Sequence, residues 1–278
     1  MIINADSAQV YADLQVLSAR PSEEEMAGIE HRLFGAWDGS EACSAAAWAA
    51  RAKAEIADVH AAGAVPILVG GTGLYLKVLL EGIAPIPEID PAIRATVRAL
   101  PDDAAYKLLQ IEDPLRAAEL DPGDRQRIAR ALEVKRSTGV TLADWQLAKA
   151  GGIAEEIALH PLVIEPERAW LYDRCNRRFA QMLETGAIAE VEALLARGLN
   201  PDLPVMHAIG VPEIAAMLAG VLEKDAVIAA GSQATRNYAK RQFTWFRRQP
   251  PPEWPRAEPD PESEYIGLEA HFASLLRS

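Results

Sequence analysis

Val65-Pro66-Ile67-Leu68-Val69-Gly70-Gly71-Thr72-Gly73-Leu74-Tyr75 decides the fold class. Val65 to Val69 reads as a short buried strand, Gly70 to Gly73 as a tight turn, and Leu74 to Leu80 as the start of a helix. Upstream, Ser44 to Ala62 is an alanine-rich helix and Ile2 to Ala5 another short apolar strand. Strands alternating with helices predict an α/β protein whose parallel sheet is covered on both faces. Met1-Ile2-Ile3-Asn4-Ala5-Asp6 begins inside what reads as a buried strand, with no neighbouring strand or lead-in turn ahead of it.

Downstream, Pro85-Ile86-Pro87 breaks the alternation, and from Pro91 to about Ala150 every periodic segment is helical. Leu162-Val163-Ile164 reads as a return to the sheet. Arg168 to Arg197 is helical with an interruption near Gly186, and a last strong helix runs from about Asp225 to Arg247. Pro250-Pro251-Pro252 ends it, and a proline- and acid-rich tail leads to a short terminal helix. The expected organisation is a core of residues 1–87 and 151–249, a helical insertion of residues 88–150 and a tail of residues 250–278.

Half of the 278 residues are hydrophobic and 24% are charged, enough to bury a core. Cys43 and Cys175 match no disulfide or zinc spacing, and the five histidines are scattered, which argues against a histidine-built metal site. No apolar stretch is long enough to span a bilayer and no signal peptide opens the chain, so no membrane partner and a cytoplasmic location are expected. A net charge of -12 argues against indiscriminate nucleic-acid binding, yet Arg236, Lys240, Arg241, Arg247 and Arg248 lie in one segment without an acid. Such a local concentration is a candidate polyanion footprint.

Four constellations could carry chemistry. Asp6-Ser7 sits at the carboxyl end of the first strand, where open α/β sheets place ligands, although a helix cap or turn explains the pair as well. Gly70 to Gly73 could bring backbone close to a ligand, but it matches neither the Walker A pattern nor the dinucleotide fingerprint, and a structural turn accounts for it equally. Between Asp124 and Val134, Arg127 and Arg130 share a helix face while Ile128, Ala131 and Leu132 face the core; a solvated face is the plain alternative, as it is for Arg174, Arg177 and Arg178. From Thr235 to Arg247, Arg236, Lys240, Phe243 and Arg247 form one stripe, and Tyr238, Gln242 and Trp245 another, either core or base-stacking surface.

Their order and spacing say more than any one of them. Asp6-Ser7-Ala8-Gln9-Val10-Tyr11, Ser18 to Pro21, His31-Arg32-Leu33, Val69 to Tyr75, Asp124 to Val134 and Thr235 to Arg247 together resemble the bacterial tRNA dimethylallyltransferases, over nearly the whole chain to about residue 250. The resemblance implies a P-loop NTPase-like parallel sheet flanked by helices, with a helical insertion that binds tRNA. It implies transfer of a dimethylallyl group from its diphosphate to N6 of adenosine 37, the base drawn out of the anticodon stem-loop. Asp6 is then the expected general base, Thr72 positions the adenosine, and Ser7, Ala8 and Gln9 line the substrate. Gln126, Arg127, Ile128, Ala129 and Arg130, with Arg94, are expected to grip tRNA. Arg178 and Arg174, with Arg236 behind them, are expected at the leaving diphosphate. His207 and Gly210 belong to a segment that contacts tRNA, where Val211 stands in a place often filled by tyrosine. Mg²⁺ is the implied cofactor, with no metal ligand assigned in this chain, and a monomer is expected.

The front of the chain departs from that family, whose members carry a strand and a Gly-rich phosphate loop ending in Lys-Ser/Thr ahead of the strand with Asp6. No Walker A sequence occurs in the 278 residues, so the first strand and P-loop are expected to be absent, which leaves open whether the chain is active as written. Such a loop wraps the donor diphosphate and helps hold Mg²⁺. A misassigned start codon is the preferred explanation, since the later motifs look undamaged; real truncation is the other. The competing functions are an adenylate isopentenyltransferase and a non-catalytic RNA-binding remnant.

Overall fold

Met1 to Asp6 forms the middle of a small parallel sheet rather than its edge. In the computed structural model, which describes residues 1–259, β1 (Ile2–Asn4) is followed by a short helix α1 (Glu23–Met26) and then by its first neighbour, β2 (His31–Arg32). After α2 (Ala45–Ala61), β3 (Ile67–Val69) pairs on the other side, giving the order β2-β1-β3 with all strands parallel. Both neighbours of β1 therefore come from later in the chain. Ile3, Asn4 and Ala5 are completely buried. The α2 helix starts at Ser44, whose hydroxyl accepts the Ala47 N–H, and turns Trp48, Ala49, Ala52, Ile56 and Val59 inward at helical spacing. Trp48 stacks on Tyr75 of α3 (Gly73–Glu81) at 4.6 Å, and its indole N–H donates to the Asn4 carbonyl.

Two sequence expectations change here. Val65 to Val69 is not a buried strand: Val65, Ile67 and Val69 are 68%, 39% and 50% exposed. The physical reason is that β3 is an edge, paired among the described residues with β1 alone. Among the described residues Leu162 to Ile164 does not rejoin that sheet; Val163 and Ile164 pair instead with Arg256 and Ala257.

Residues 80–156 form a compact unit of their own. It contains β4 (Gly82–Ile83), α4 (Pro91–Arg98), α5 (Asp102–Glu112), α6 (Pro114–Glu119), α7 (Arg125–Thr138), α8 (Leu142–Leu147) and β5 (Ala150–Gly151), with β4 and β5 antiparallel. Asp90 and Asp124 cap α4 and α7, and Gly139 ends α7 at φ 74°. Val97, Leu109, Leu120, Ile128 and Leu132 fill the core between these helices.

Among the described residues, the other unit joins residues 1–79 to 157–259. It continues with β6 (Val163–Ile164), α9 (Arg168–Thr185), α10 (Ala187–Ala196), a 3-10 turn at Pro204–His207, α11 (Val211–Leu218), α12 (Lys224–Arg248) and β7 (Arg256–Ala257), which pairs in parallel with β6. The terminal helix expected in the tail lies outside the described residues. α9 and α12 pack antiparallel: Lys224 pairs with Glu184 at one end, and Arg168 lies over the Phe243 ring at the other. Gly231 lets them approach, since a Cβ there would fall 1.9 Å from Cζ of Phe179. α10 anchors the loop after β1. The Glu190 carboxylate accepts the N–H groups of Gln15, Val16 and Leu17, and Arg197 pairs with Asp13 and Asp38. Hydrogen bonds from Arg197 and Ser40 hold the Asp38 carboxyl well below the usual carboxylate range.

Candidate active site

Asp6 stands at the carboxyl end of β1, and the buried Asn4 fixes its backbone. The Asn4 side chain accepts the Asp6 N–H at 2.8 Å and donates to the carbonyls of Asp6 and Leu33. Asp6 Oδ1 in turn accepts the Ala8 N–H at 2.9 Å. The loop after β3 is fastened to the loop after β1: Thr72 N–H donates to the Ala5 carbonyl at 3.1 Å. Thr72 Oγ1 accepts the Ser7 N–H at 2.8 Å and donates to Ser7 Oγ at 3.1 Å. Asp6, Ser7 and Thr72 are thereby held in register by bonds that tie the Asn4, Asp6 and Thr72 side chains to the backbone of both loops.

α12 closes the site. Its Tyr238 phenol lies close enough to Asp6, Ser7 and Thr72 to act on their electrostatics, and the Arg178 charge from α9 acts on Asp6. Burial pushes the Asp6 carboxyl above its ordinary value; the Ala8 N–H, the Arg178 charge, and the Thr72 and Tyr238 hydroxyls offset part of that rise. Burial and then the Asp6 charge push the Tyr238 phenol upward as well, which keeps it a hydrogen-bond donor at neutral pH. The result is a carboxylate more basic than an ordinary aspartate, facing hydroxyl donors and a cation, and such a group can take a proton from a weakly acidic N–H.

The glycine turn has a different use from ligand approach. A Cβ on Gly70 would lie 2.2 Å from the Ala5 carbonyl carbon, one on Gly71 2.0 Å from Gln242 Nε2, and one on Gly73 2.2 Å from Trp245 Cδ2. The turn is glycine-rich because β1 and the Tyr238, Gln242, Trp245 face of α12 lie against it. That stripe is therefore a packing face, with Tyr238 as its chemical member.

The remaining expected residues divide. Gln9 is a brace, its amide donating to the Ser18 and Ala19 carbonyls. Arg174 is exposed and lies over the Trp170 ring at 5.5 Å. Arg236 bonds Asn176 and Gln233, about 200° around α12 from Tyr238. His207 is exposed, whereas Gly210 is buried at φ 97° with its would-be Cβ 2.5 Å from Leu17, and Val211 is 1% exposed. In the helical unit, Gln126, Arg127 and Arg94 are exposed and Arg130 is half-buried. Ile128 is 1% exposed in the core of that unit, so its side chain is not an RNA contact, and Ala129 packs on the same core. Arg98 and Arg130 converge on the buried Glu133 at 3.0 and 4.0 Å, while Arg127 makes a looser 3.4 Å pair with Asp124. Asn4 and Tyr238 were not foreseen as site residues; an asparagine inside the apolar run Ile2 to Ala5 was the available signal for the first.

Among the described residues no three His, Cys, Asp or Glu side chains gather as a metal site. Asp6 is the one carboxylate at the centre, with Oδ1 accepting the Ala8 N–H, and a single carboxylate does not by itself build a Mg²⁺ site. No helix of the described residues is long and apolar enough to cross a membrane.

A sequence model of the family described as IPP transferase matches residues 9–249. A tRNA dimethylallyltransferase of Erythrobacter litoralis is 66% identical over 258 residues, spanning 93% of this chain and 81% of that protein. One of Novosphingobium aromaticivorans is 63% identical over 277 residues, covering 100% of this chain and 97% of the relative. Among solved structures, a eukaryotic dimethylallyltransferase acting on tRNA superposes with a TM-score of 0.79 at 25% identity, over 98% of this chain and 70% of that one. A tRNA isopentenylpyrophosphate transferase of Staphylococcus epidermidis does so at 0.66 and 29% identity, over 99% and 90%.

Proposed function

Because the chain belongs to the IPP transferase family, we propose that it is a tRNA dimethylallyltransferase, moving a dimethylallyl group from dimethylallyl diphosphate to N6 of adenosine 37. The observation that carries the reading is Asp6, half-buried, more basic than usual, and fixed beside Thr72, Tyr238 and Arg178. The exocyclic amine of adenine is a poor nucleophile because its lone pair is delocalised into the ring. As the new N–C bond forms and the donor's C–O bond breaks, Asp6 takes the amine proton and the electron pair leaves with the diphosphate. Thr72 and Ser7 orient the base, and Arg178 faces the developing negative charge.

The acceptor is RNA in this reading, since the helical unit offers Arg94, Gln126, Arg127 and Arg130 outward of its core, a surface that a mononucleotide does not need. His207, in the other unit, is a separate tRNA contact in this reading. Dimethylallyl diphosphate is the donor, and Mg²⁺, if engaged, is carried by the diphosphate and supplies charge neutralisation there. The 278 residues contain no Walker A motif, so within them the diphosphate falls to arginine. The site is that of a cytoplasmic monomer.

Incubating the chain with labelled dimethylallyl diphosphate and either unmodified tRNA or AMP tests the proposal. Label in tRNA and none in AMP is the expected outcome. Label in AMP alone identifies an adenylate prenyltransferase, and RNA binding without transfer identifies a non-catalytic remnant.

A further inference from the structure

On the side of α12 turned away from Asp6, a groove of about 480 Å³ runs between α9 and α12, lined by Asn176, Asp225, Ile228, Ala229, Ser232 and Arg236. Of its lining residues only Arg236 is expected at the leaving diphosphate, and it lies about 200° around α12 from Tyr238. Ser232 is 4% exposed, and its hydroxyl has no hydrogen-bond partner. A buried, unpaired hydroxyl in a native structure is uncommon and asks for an explanation. One helical turn further along, the Arg236 guanidinium is held on two side-chain carbonyl oxygens, Asn176 Oδ1 and Gln233 Oε1. These bonds use the acceptor side of Asn176, so the polarity it leaves toward the groove is its NH₂. They also fix a guanidinium that would otherwise sample many rotamers.

We propose that this end of the groove is an anion site for a phosphate group, bound by Ser232 Oγ–H, the Asn176 amide and the Arg236 guanidinium. The three groups present donors with no competing acceptor, the arrangement that selects an acceptor-only, negatively charged ligand. The local field agrees. The charges of Arg178, Arg236 and Arg174 all favour the thiolate of Cys175, a residue next to Asn176, although burial raises that thiol overall. The acid in the groove, Asp225, precedes Arg236 by eleven positions, which on a helix places it about 16 Å away along the axis. It therefore does not neutralise the cationic end. The site goes beyond the proposed reaction and does not depend on it. Either an RNA phosphodiester or free diphosphate supplies the same chemistry.

Calorimetric titration with sodium diphosphate, and separately with tRNA, distinguishes the sources when run on the wild type, Ser232→Ala and Asn176→Ala. Arg178→Ala serves as the background in which the anion subsite beside Asp6 is disabled. Diphosphate binding that survives Arg178→Ala and weakens about tenfold in Ser232→Ala and Asn176→Ala assigns the groove to a free phosphate ligand. An unchanged diphosphate response with tRNA affinity lowered about tenfold by the same two variants assigns it to the RNA backbone. Affinities for both ligands unchanged in Ser232→Ala and in Asn176→Ala overturn the proposal.

Discussion

Replacing Gly73 by alanine tests why the turn after β3 is rich in glycine. Neither Gly71 nor Gly73 has a positive φ, so alanine meets no backbone strain at either position. At Gly73 the new methyl would lie 2.2 Å from Trp245 Cδ2 and 2.4 Å from two further ring carbons, against an ordinary contact of at least 3.4 Å. The shortfall exceeds an ångström and falls on a flat ring held between helices, so α12 must shift or Trp245 must leave its rotamer. Overpacking of that kind costs about 1–3 kcal/mol. Alanine in the first turn of α3 returns about 0.5–1 kcal/mol over glycine, which leaves a net loss centred on about 1 kcal/mol and reaching about 2.5 kcal/mol. At about 2–4 °C per kcal/mol, Tm should fall by about 2–4 °C at the centre of that range and by about 10 °C at its upper end. Transfer should fall further than stability, because moving α12 draws Tyr238 from Thr72. At Gly71 the obstacle is the Gln242 carboxamide, the free end of a flexible side chain. Gly71→Ala should therefore stay within about 0.5 kcal/mol of wild type. Urea denaturation of both variants, of Trp245→Leu alone, and of Gly73→Ala combined with Trp245→Leu gives the Gly73–Trp245 coupling energy. A Gly73→Ala protein as stable as wild type, or a Gly71→Ala protein that loses more, would refute the packing account of the turn.

Other perturbations follow from the same contacts. Tyr238→Phe keeps the ring and removes the hydroxyl that lowers the Asp6 carboxyl. With Asp6 as the proposed base acting in its carboxylate form, activity is present above its value and lost below it; the acid limb of the kcat/KM profile should move to higher pH, and an unmoved limb would detach Tyr238 from the base. Glu190→Gln replaces one carboxylate oxygen by an NH₂ facing backbone donors of the Gln15 to Leu17 loop. A loss of about 1–3 kcal/mol is expected in denaturant melts, and wild-type stability would show the loop to be anchored elsewhere. Arg127→Gln with Arg130→Gln should weaken tRNA binding and reduce the salt slope by about 0.9 per lost phosphate contact, whereas a parallel shift at constant slope would exclude phosphate contact at those arginines.

Local pattern carried much of the fold into the sequence. Ser44 as a cap, the inward spacing of Trp48 to Val59, and Gly186 between α9 and α10 are short-range signals, and the helices form where they point. Strand environment was less legible. Val65 to Val69 is apolar in the manner of a buried strand, yet exposure depends on what pairs with its far edge, a property outside the segment. Ile164 likewise finds Ala257, across more than ninety intervening residues, and β-pairing at that separation leaves no local mark. At the site, Asp6 and Thr72 were readable from motif order. Tyr238 was visible as one member of an aromatic stripe, but its approach to Asp6 required knowing which face of α12 meets the glycine turn. Asn4 was marked only as a polar residue in an apolar run, which does not say which carbonyls it will serve.

The central claim is that Asp6 takes the proton of the accepting amine. Single-turnover transfer from labelled dimethylallyl diphosphate to unmodified tRNA, measured for the wild type and Asp6→Asn with tRNA affinity determined alongside, tests it most directly. The account predicts a rate loss of about a hundredfold or more with tRNA affinity unchanged, since asparagine preserves the shape and cannot accept the proton. A variant that transfers at the wild-type rate, or that loses rate only in proportion to lost binding, would contradict it.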